Sequence, residues 1–183
     1  LFVNYFFKDV KKGFYIDIGC NLPKNSSLTY LLYKKGWRGI NVDISERVIN
    51  LNKVIRPRDI NLNISIGKEE KIVNSYIFYD NCSMNTVDKK FSEYTQKSVN
   101  KKPKIVKIQQ HMLDSVLEKF KVNKINYLNI DVEGNEMNTL DGFSLHKFNP
   151  DLVSIEIHDK VCPPLSNKIY KYFLDKKYYL VSI

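Results

Sequence analysis

The chain has 183 residues, 43% hydrophobic and 27% charged, which suits one domain with a sizeable core and excludes wholesale disorder. Lys and Arg number 29 against 20 Asp and Glu, a net charge of +9, and no alanine occurs anywhere. No apolar run approaches the roughly 20 residues of a membrane span, the apolar opening Leu1–Phe7 lacks the charged start and cleavage site of a signal peptide, and three scattered cysteines, Cys20, Cys82 and Cys162, argue against a disulfide framework or zinc ribbon and fit a reducing cytoplasm.

In chain order, Phe14–Ile18 reads as a buried strand closed by Gly19. Residues 26–35 read as a helix, with Leu28, Leu31 and Leu32 as its apolar stripe and Gly36 as its stop. Gly39–Asp43 is a second strand. A helix over 45–55 follows, with Ser45 as its N-cap, and then a third strand, Asn61–Ile66. Ile72–Tyr79 and Lys104–Gln109 read as strands flanking a polar stretch, 80–103, expected as a long loop or a short helix. Loops of that length tend to be functional or mobile. The stretch of about 68–110 reads as an insert-like variable part of a single domain, 1–183. Then come helix 112–120, strand Tyr127–Val132, helix 135–141, strand Leu152–Ile157, helix 166–175 and a last strand, Tyr178–Ile183. A start at Leu rather than Met suggests an excised segment. Strands separated by helices imply parallel pairing through right-handed crossovers, hence an open α/β sheet of the Rossmann type. Ligands in such sheets sit outside the carboxyl ends of the strands, at the switch point.

The strand ends carry the chemistry. The first strand ends in Asp17-Ile18-Gly19-Cys20-Asn21, and the second ends in Asp43, 24 residues after Gly19. A glycine turn lets backbone approach a ligand, and an acid about 20 residues on accepts hydrogen bonds from two ribose hydroxyls. One glycine stands where a dinucleotide site wants three, so a pyrophosphate cradle is not expected. A nucleoside without phosphates fits, which points to S-adenosylmethionine rather than NAD or ATP; an ordinary strand-to-helix turn carries the same residues. Two later strands end in Asp131-Val132-Glu133-Gly134-Asn135-Glu136 and Glu156-Ile157-His158-Asp159. As neighbours they would gather Asp131, Glu133, Glu156 and His158 on one rim. Such a cluster can act as a general base or hold a hard divalent cation. Solvated strand-end charges or helix N-terminal carboxylates would look the same.

The segment Gly13–Asp43, with Gly-Phe-Tyr-Ile-Asp-Ile-Gly-Cys-Asn-Leu-Pro, Asn-Ser-Ser-Leu-Thr-Tyr and Gly-Trp-Arg-Gly-Ile-Asn-Val-Asp, and the later Ile130–Glu136 and Leu140-Asp141-Gly142 together resemble the FkbM family of S-adenosylmethionine-dependent methyltransferases. The resemblance runs from about residue 6 to 181. It implies the class I methyltransferase Rossmann-like sandwich, a mostly parallel central sheet with helices on both faces. It also implies O-methylation, with acceptors that are typically glycan sugars or hydroxyl or carboxyl groups of natural products. By resemblance, Asp17, Gly19 and Asn21 line the methionine side of the cofactor, with Cys20 where the family often has Ala. Ser27 and Thr29 reach its carboxylate, Asp43 holds the ribose, Ile44 covers the adenine, Ser65 approaches the adenine ring, and Asp131 lies near the reacting centre. Sheets of this class usually end in a two-strand hairpin, so the last strand here is expected to be truncated.

These readings converge on an O-methyltransferase acting on a sugar hydroxyl of a cell-surface glycan, capsule or lipopolysaccharide, or on its precursor. Asp131, Glu133 and His158 are the candidate catalytic residues, and a divalent cation is a minority option. The acceptor is expected to be a small molecule or glycan, with Lys97, Lys101, Lys102, Lys104 and Lys107 available to steer an anionic one; a solvated loop reads the same. The expected location is the cytoplasm, at the inner face of the membrane without spanning it. Nucleic-acid methylation is the rival suggested by the charge, but no run interleaves aromatic and basic residues as base stacking requires, so no nucleic-acid partner is expected. A non-catalytic methyltransferase-like interaction domain is the other rival. The 25 lysines against 4 arginines fit an A+T-rich genome as the main source of the charge.

Overall fold

A computed structural model describes residues 2–80, 82–158 and 166–182. The first half contains α1 (Phe2–Phe6), β1 (Phe14–Ile18), α2 (Tyr30–Lys34), β2 (Arg38–Asp43), α3 (Glu46–Ile55), β3 (Ile60–Asn63), β4 (Ser65–Ile66) and β5 (Lys71–Ile77). The second contains α4 (Lys89–Val99), β6 (Lys104–His111), α5 (Leu113–Lys119), β7 (Tyr127–Ile130), α6 (Glu136–Asp141), α7 (Leu145–Phe148), β8 (Leu152–Ile155) and α8 (Lys168–Asp175). Five strands make an all-parallel sheet in the order β3-β2-β1-β7-β8, and β4, β6 and β5 make a second sheet. This is an α/β Rossmann-like architecture. The order reverses at β1, so β1 to β3 run one way from the centre and β7 and β8 the other. The crevice at that reversal is where a ligand is expected.

Alternation along β1 divides the core. Ile16 and Ile18 face one side, with Ile40, Val42, Leu128 and Ile130, and α5, α6 and α8 cover them through Leu117, Leu140 and Ile169. Tyr15 faces the other side, packed with Phe7, Leu32, Trp37 and Tyr127. This packing explains Trp37 and Gly39 of the Gly-Trp-Arg-Gly motif. A Cβ at Gly39 would lie 2.1 Å from the Tyr15 ring, and one at Gly13 would lie 2.6 Å from the Trp37 ring. Trp37 is fully buried, and its indole N–H donates to the Val10 carbonyl at 3.2 Å. Ser45 caps α3 as expected, its hydroxyl accepting from the Val48 N–H at 3.4 Å.

The structure departs from the sequence reading at several places. The helix expected over 26–35 shortens to Tyr30–Lys34, because Asp17 and Arg56 bond the Thr29 side chain and hold the entry as a turn. The strand expected over Asn61–Ile66 is two strands in different sheets. β3 loses its partner when β2 ends at Asp43, and the chain then pairs Ser65 and Ile66 with β6. Strand β5 pairs with β6 antiparallel, so the sheets together are mostly rather than wholly parallel. The 80–103 stretch carries a helix, the second of the two expected alternatives: α4, with Asp88 as its N-cap. Helix α7 was not expected. No strand forms over residues 178–182; the Tyr178 N–H donates to the Phe173 carbonyl at the end of α8 and its hydroxyl to the Pro150 carbonyl, so the segment caps a helix instead of extending the sheet. Asp159, Cys162 and Ile183 lie outside the described residues.

Candidate active site

A cleft of about 580 Å³, open solvent included, lies at the carboxyl ends of β1, β2 and β7. Gly19, Asn21, Asp43, Ile44, Ser65 and Asp131 line it, so the fold gathers these residues from four separated stretches of sequence. Gly19 has φ +77°, and a Cβ there would lie 1.6 Å from the Asp131 carbonyl oxygen. The Asp131 N–H in turn donates to the Ile18 carbonyl at 2.9 Å. The two strand ends therefore touch through backbone alone, which only glycine permits.

Asp43 is pre-set for a ligand. One carboxylate oxygen accepts from the Ser45 N–H at 2.8 Å and the other from the Asn21 N–H at 3.0 Å. Burial pushes its carboxyl up to about 6, against the lowering effect of those two N–H groups. It is ionised at neutral pH, and each oxygen keeps a lone pair for a hydroxyl. Asn21 takes a left-handed conformation, φ 46°, and its Oδ1 is buried with no hydrogen-bond partner among the described residues. That orphan acceptor on the cleft wall suits an ammonium group. Val42, Ile44, Ile64 and Ile66 give an apolar wall suited to a flat base. The residues present fit S-adenosylmethionine: a diol acceptor, an ammonium acceptor, an apolar slot and no phosphate cradle.

Three of the expected cofactor residues stand behind this wall instead of lining it. Asp17 is 2% exposed, its oxygens accepting from the Thr29 hydroxyl at 2.5 Å and the Asn129 amide at 3.0 Å. Cys20 is buried, and that burial pushes its thiol well up, so it packs as an apolar side chain. Ser27 lies beside Thr29, 3.3 Å between their hydroxyl oxygens, with Arg56 3.4 Å away.

The second rim is the carboxylate cluster. Strands β7 and β8 are neighbours, pairing Ile130 with Ile155. His158 Nε2 lies 3.1 Å from a Glu156 oxygen and 3.6 Å from a Glu133 oxygen. Glu156 is hydrogen-bonded to Asp131, which lines the cleft. Burial, with the charges of Asp131 and Glu133, raises the Glu156 carboxyl to about 8. Burial, with the charges of Asp131 and Glu136, raises Glu133 to about 7. Burial also raises Asp131, opposed by the Glu156 hydrogen bond. Their shared hydrogen bond raises Glu156 and lowers Asp131, so of the pair Glu156 holds its proton more tightly. One ligand atom each from Glu133, Glu156 and His158 lies within 4.8 Å of the others, a set able to receive a divalent cation. Glu133 has φ 55°, a strained left-handed backbone for a non-glycine residue. Glu136 belongs to the helix instead. It is buried and reaches back to accept from the Val132 and Gly134 N–H groups.

The sequence reading missed one wall. Cys82, Ser83, Asn85, Thr86 and Val87 line the cleft from the polar middle segment, where only the length of the stretch hinted at a role. Thr86 donates to the Glu133 carbonyl at 2.8 Å, and Phe91 on α4 lies 5.1 Å from the His158 ring. The lysine-rich stretch is a loop only over residues 100–103. It runs from the end of α4 into β6, with Lys101 over the Tyr79 ring at 3.6 Å.

The raised carboxyls set a pH dependence. Glu133 and Glu156 hold their protons in the folded state where an unfolded chain has already released them. The folded chain therefore binds more protons between about pH 4.5 and 8, and stability falls as pH rises through that window. Melting temperature measured from pH 5 to 8.5 should decline for the natural chain and decline less for Glu156→Gln. Equal slopes in both would contradict the assignment.

A family model described as the methyltransferase FkbM domain matches residues 17–180. No curated protein and no solved structure matches the chain.

Proposed function

Because the chain belongs to the FkbM methyltransferase domain family, we propose that it is an S-adenosylmethionine-dependent O-methyltransferase acting on a sugar hydroxyl of a cell-surface glycan or its precursor. The observation that carries the reading is Asp131. It lines the cleft beside Gly19 and Asp43, and its side chain also belongs to the Glu156–His158 cluster. A reacting centre needs one place where donor and acceptor sides meet, and Asp131 stands there.

When bound, the cofactor supplies an electrophilic sulfonium methyl, which passes in line to an acceptor oxygen while a neutral thioether leaves. Asp43 would accept from the ribose hydroxyls, Asn21 Oδ1 would take the ammonium, and Ile44 and Ser65 would border the base. Asp17, Cys20 and Ser27 hold this wall from behind. Asp131 takes the acceptor's proton as its oxygen attacks. Glu156 hydrogen-bonds Asp131, and His158 with Glu133 closes the acceptor side. Placing the two reactants in line supplies much of the rate, since the charge is dispersed and not created. Glu133, Glu156 and His158 offer oxygen and imidazole ligands to a divalent cation, which would lower the acceptor's pKa. Lys97, Lys101, Lys102, Lys104 and Lys107 favour an anionic acceptor such as a nucleotide-sugar. Among the described residues no helix is long and apolar enough to cross a membrane. The proposed location is the cytoplasmic side of the membrane, where capsule or lipopolysaccharide precursors are at hand.

The test is incubation with methyl-labelled S-adenosylmethionine and a panel of glycan precursors, with and without chelator. Label in a sugar is the expected result. Label only in oligonucleotides, or no binding of the cofactor, would overturn the reading. Loss of turnover with chelator would assign the metal.

A further inference from the structure

Behind the cleft wall lies a fully buried cation that the proposed chemistry does not use. Arg56 closes α3 and is 0% exposed. Its Nε donates to Asp59 at 2.9 Å. One terminal nitrogen donates to the Tyr15 hydroxyl at 2.7 Å and the Thr29 hydroxyl at 2.9 Å, and the other approaches Ser27 at 3.4 Å. Asp59 also accepts from the Gly39 N–H at 3.0 Å and the Asn41 amide at 3.1 Å. The polarity of this network is determined. A carboxylate only accepts, so the Thr29 hydroxyl spends its proton on Asp17. In the Ser27–Thr29 contact Ser27 must then donate. Arg56 is the one cation in these contacts, against the two buried carboxylates of Asp59 and Asp17.

We infer that Arg56 is a positioning residue for the methyl donor. It lines no part of the cleft; through Thr29 it fixes Asp17, two residues before Gly19, and so sets the Gly19–Asn21 turn that does line it. From the same helix Asn52 donates to the Asn21 carbonyl at 3.0 Å and holds the far side of that turn. The network has two arms. The Asp59 arm ties β1 to β2 and serves the fold. The Thr29–Asp17 arm serves the turn. A lysine keeps the charge but has no planar fork to serve both arms at once.

The inference rests on the cleft binding S-adenosylmethionine, so that molecule is the probe. Its affinity is measured by calorimetry at a temperature where each variant is folded, and melting temperature is measured alongside. Arg56→Lys should weaken binding at least tenfold. Tyr15→Phe, which removes the hydroxyl that donates to Asp59 at 2.6 Å and leaves the Thr29–Asp17 bond in place, should lower melting temperature while leaving affinity within threefold. If Arg56→Lys does not fold, Thr29→Val cuts the same arm and should weaken binding tenfold. Natural affinity in a folded Arg56→Lys or Thr29→Val, or equal weakening by Tyr15→Phe, would overturn the positioning role alone. A natural chain that does not bind S-adenosylmethionine would overturn the donor reading, and this inference with it.

Discussion

Asp131→Asn should lower turnover by at least about a hundredfold while the chain stays folded, since positioned general bases typically contribute 10²–10⁴ in rate. The amide keeps the shape of the carboxyl and can accept from Glu156, so the cluster need not collapse. What it loses is the negative charge that receives the acceptor's proton. The Asp131 N–H to Ile18 carbonyl bond at 2.9 Å is backbone and survives the change. Cofactor affinity should therefore change little and the loss should fall on kcat. The Glu156 carboxyl should also move back toward its ordinary value, because the charge of Asp131 is among the causes that raise it. A pH–rate profile of the variant against the natural chain checks both points. Full turnover in Asp131→Asn would remove the residue from the mechanism.

Gly19→Ala should abolish both cofactor binding and activity. Two independent costs arise at that position. The backbone sits at φ +77°, where a side chain is strained by about 1–2 kcal/mol. The added Cβ would fall 1.6 Å from the Asp131 carbonyl oxygen, so β1 and β7 must separate. Such overpacking typically costs about 1–3 kcal/mol. Together the change should cost about 2–5 kcal/mol of stability, read as a fall in denaturation midpoint. The displacement moves Asp131 away from the Gly19 turn, so activity should vanish even in the fraction that remains folded. Gly36 offers the control. It has φ +94° but open space around its missing Cβ, so Gly36→Ala should show the strain cost without loss of binding.

Much of this was legible from residue patterns because those patterns are local. A short aromatic and β-branched run such as Phe14–Ile18, closed by a glycine, favours a buried strand, and Ser45 before a helical stretch is placed to cap it. The acids at the ends of β7 and β8 were visible as a spacing of two, and the two strands are neighbours. The middle segment was less legible. Its strand β6 has four exposed residues in succession, Lys104 to Lys107, so no alternation marks its faces, and α4 carries only two buried residues. A weakly buried segment leaves a weak imprint on sequence. The last strand failed for a related reason: Tyr178 to Ser182 has strand-like composition, but composition does not supply a partner.

The sequence by itself determined the strand ends, the single-glycine turn and the acids that follow it, because each depends on neighbours a few residues away. Only the tertiary structure decided which of those residues face the cleft. Asp17 and Cys20 turn into the interior, Asp43 and Asp131 turn to the cleft, and residues 82–87 arrive from the middle segment to close it. Nor did any spacing announce Arg56, whose partners Tyr15, Thr29 and Asp59 lie as far as 41 positions away. The reason is physical: a side chain's direction at a strand end is set by the close approach of other strands. Here that approach runs through the missing Cβ of Gly19 and the Thr29–Asp17 bond, contacts between segments that folding alone brings together.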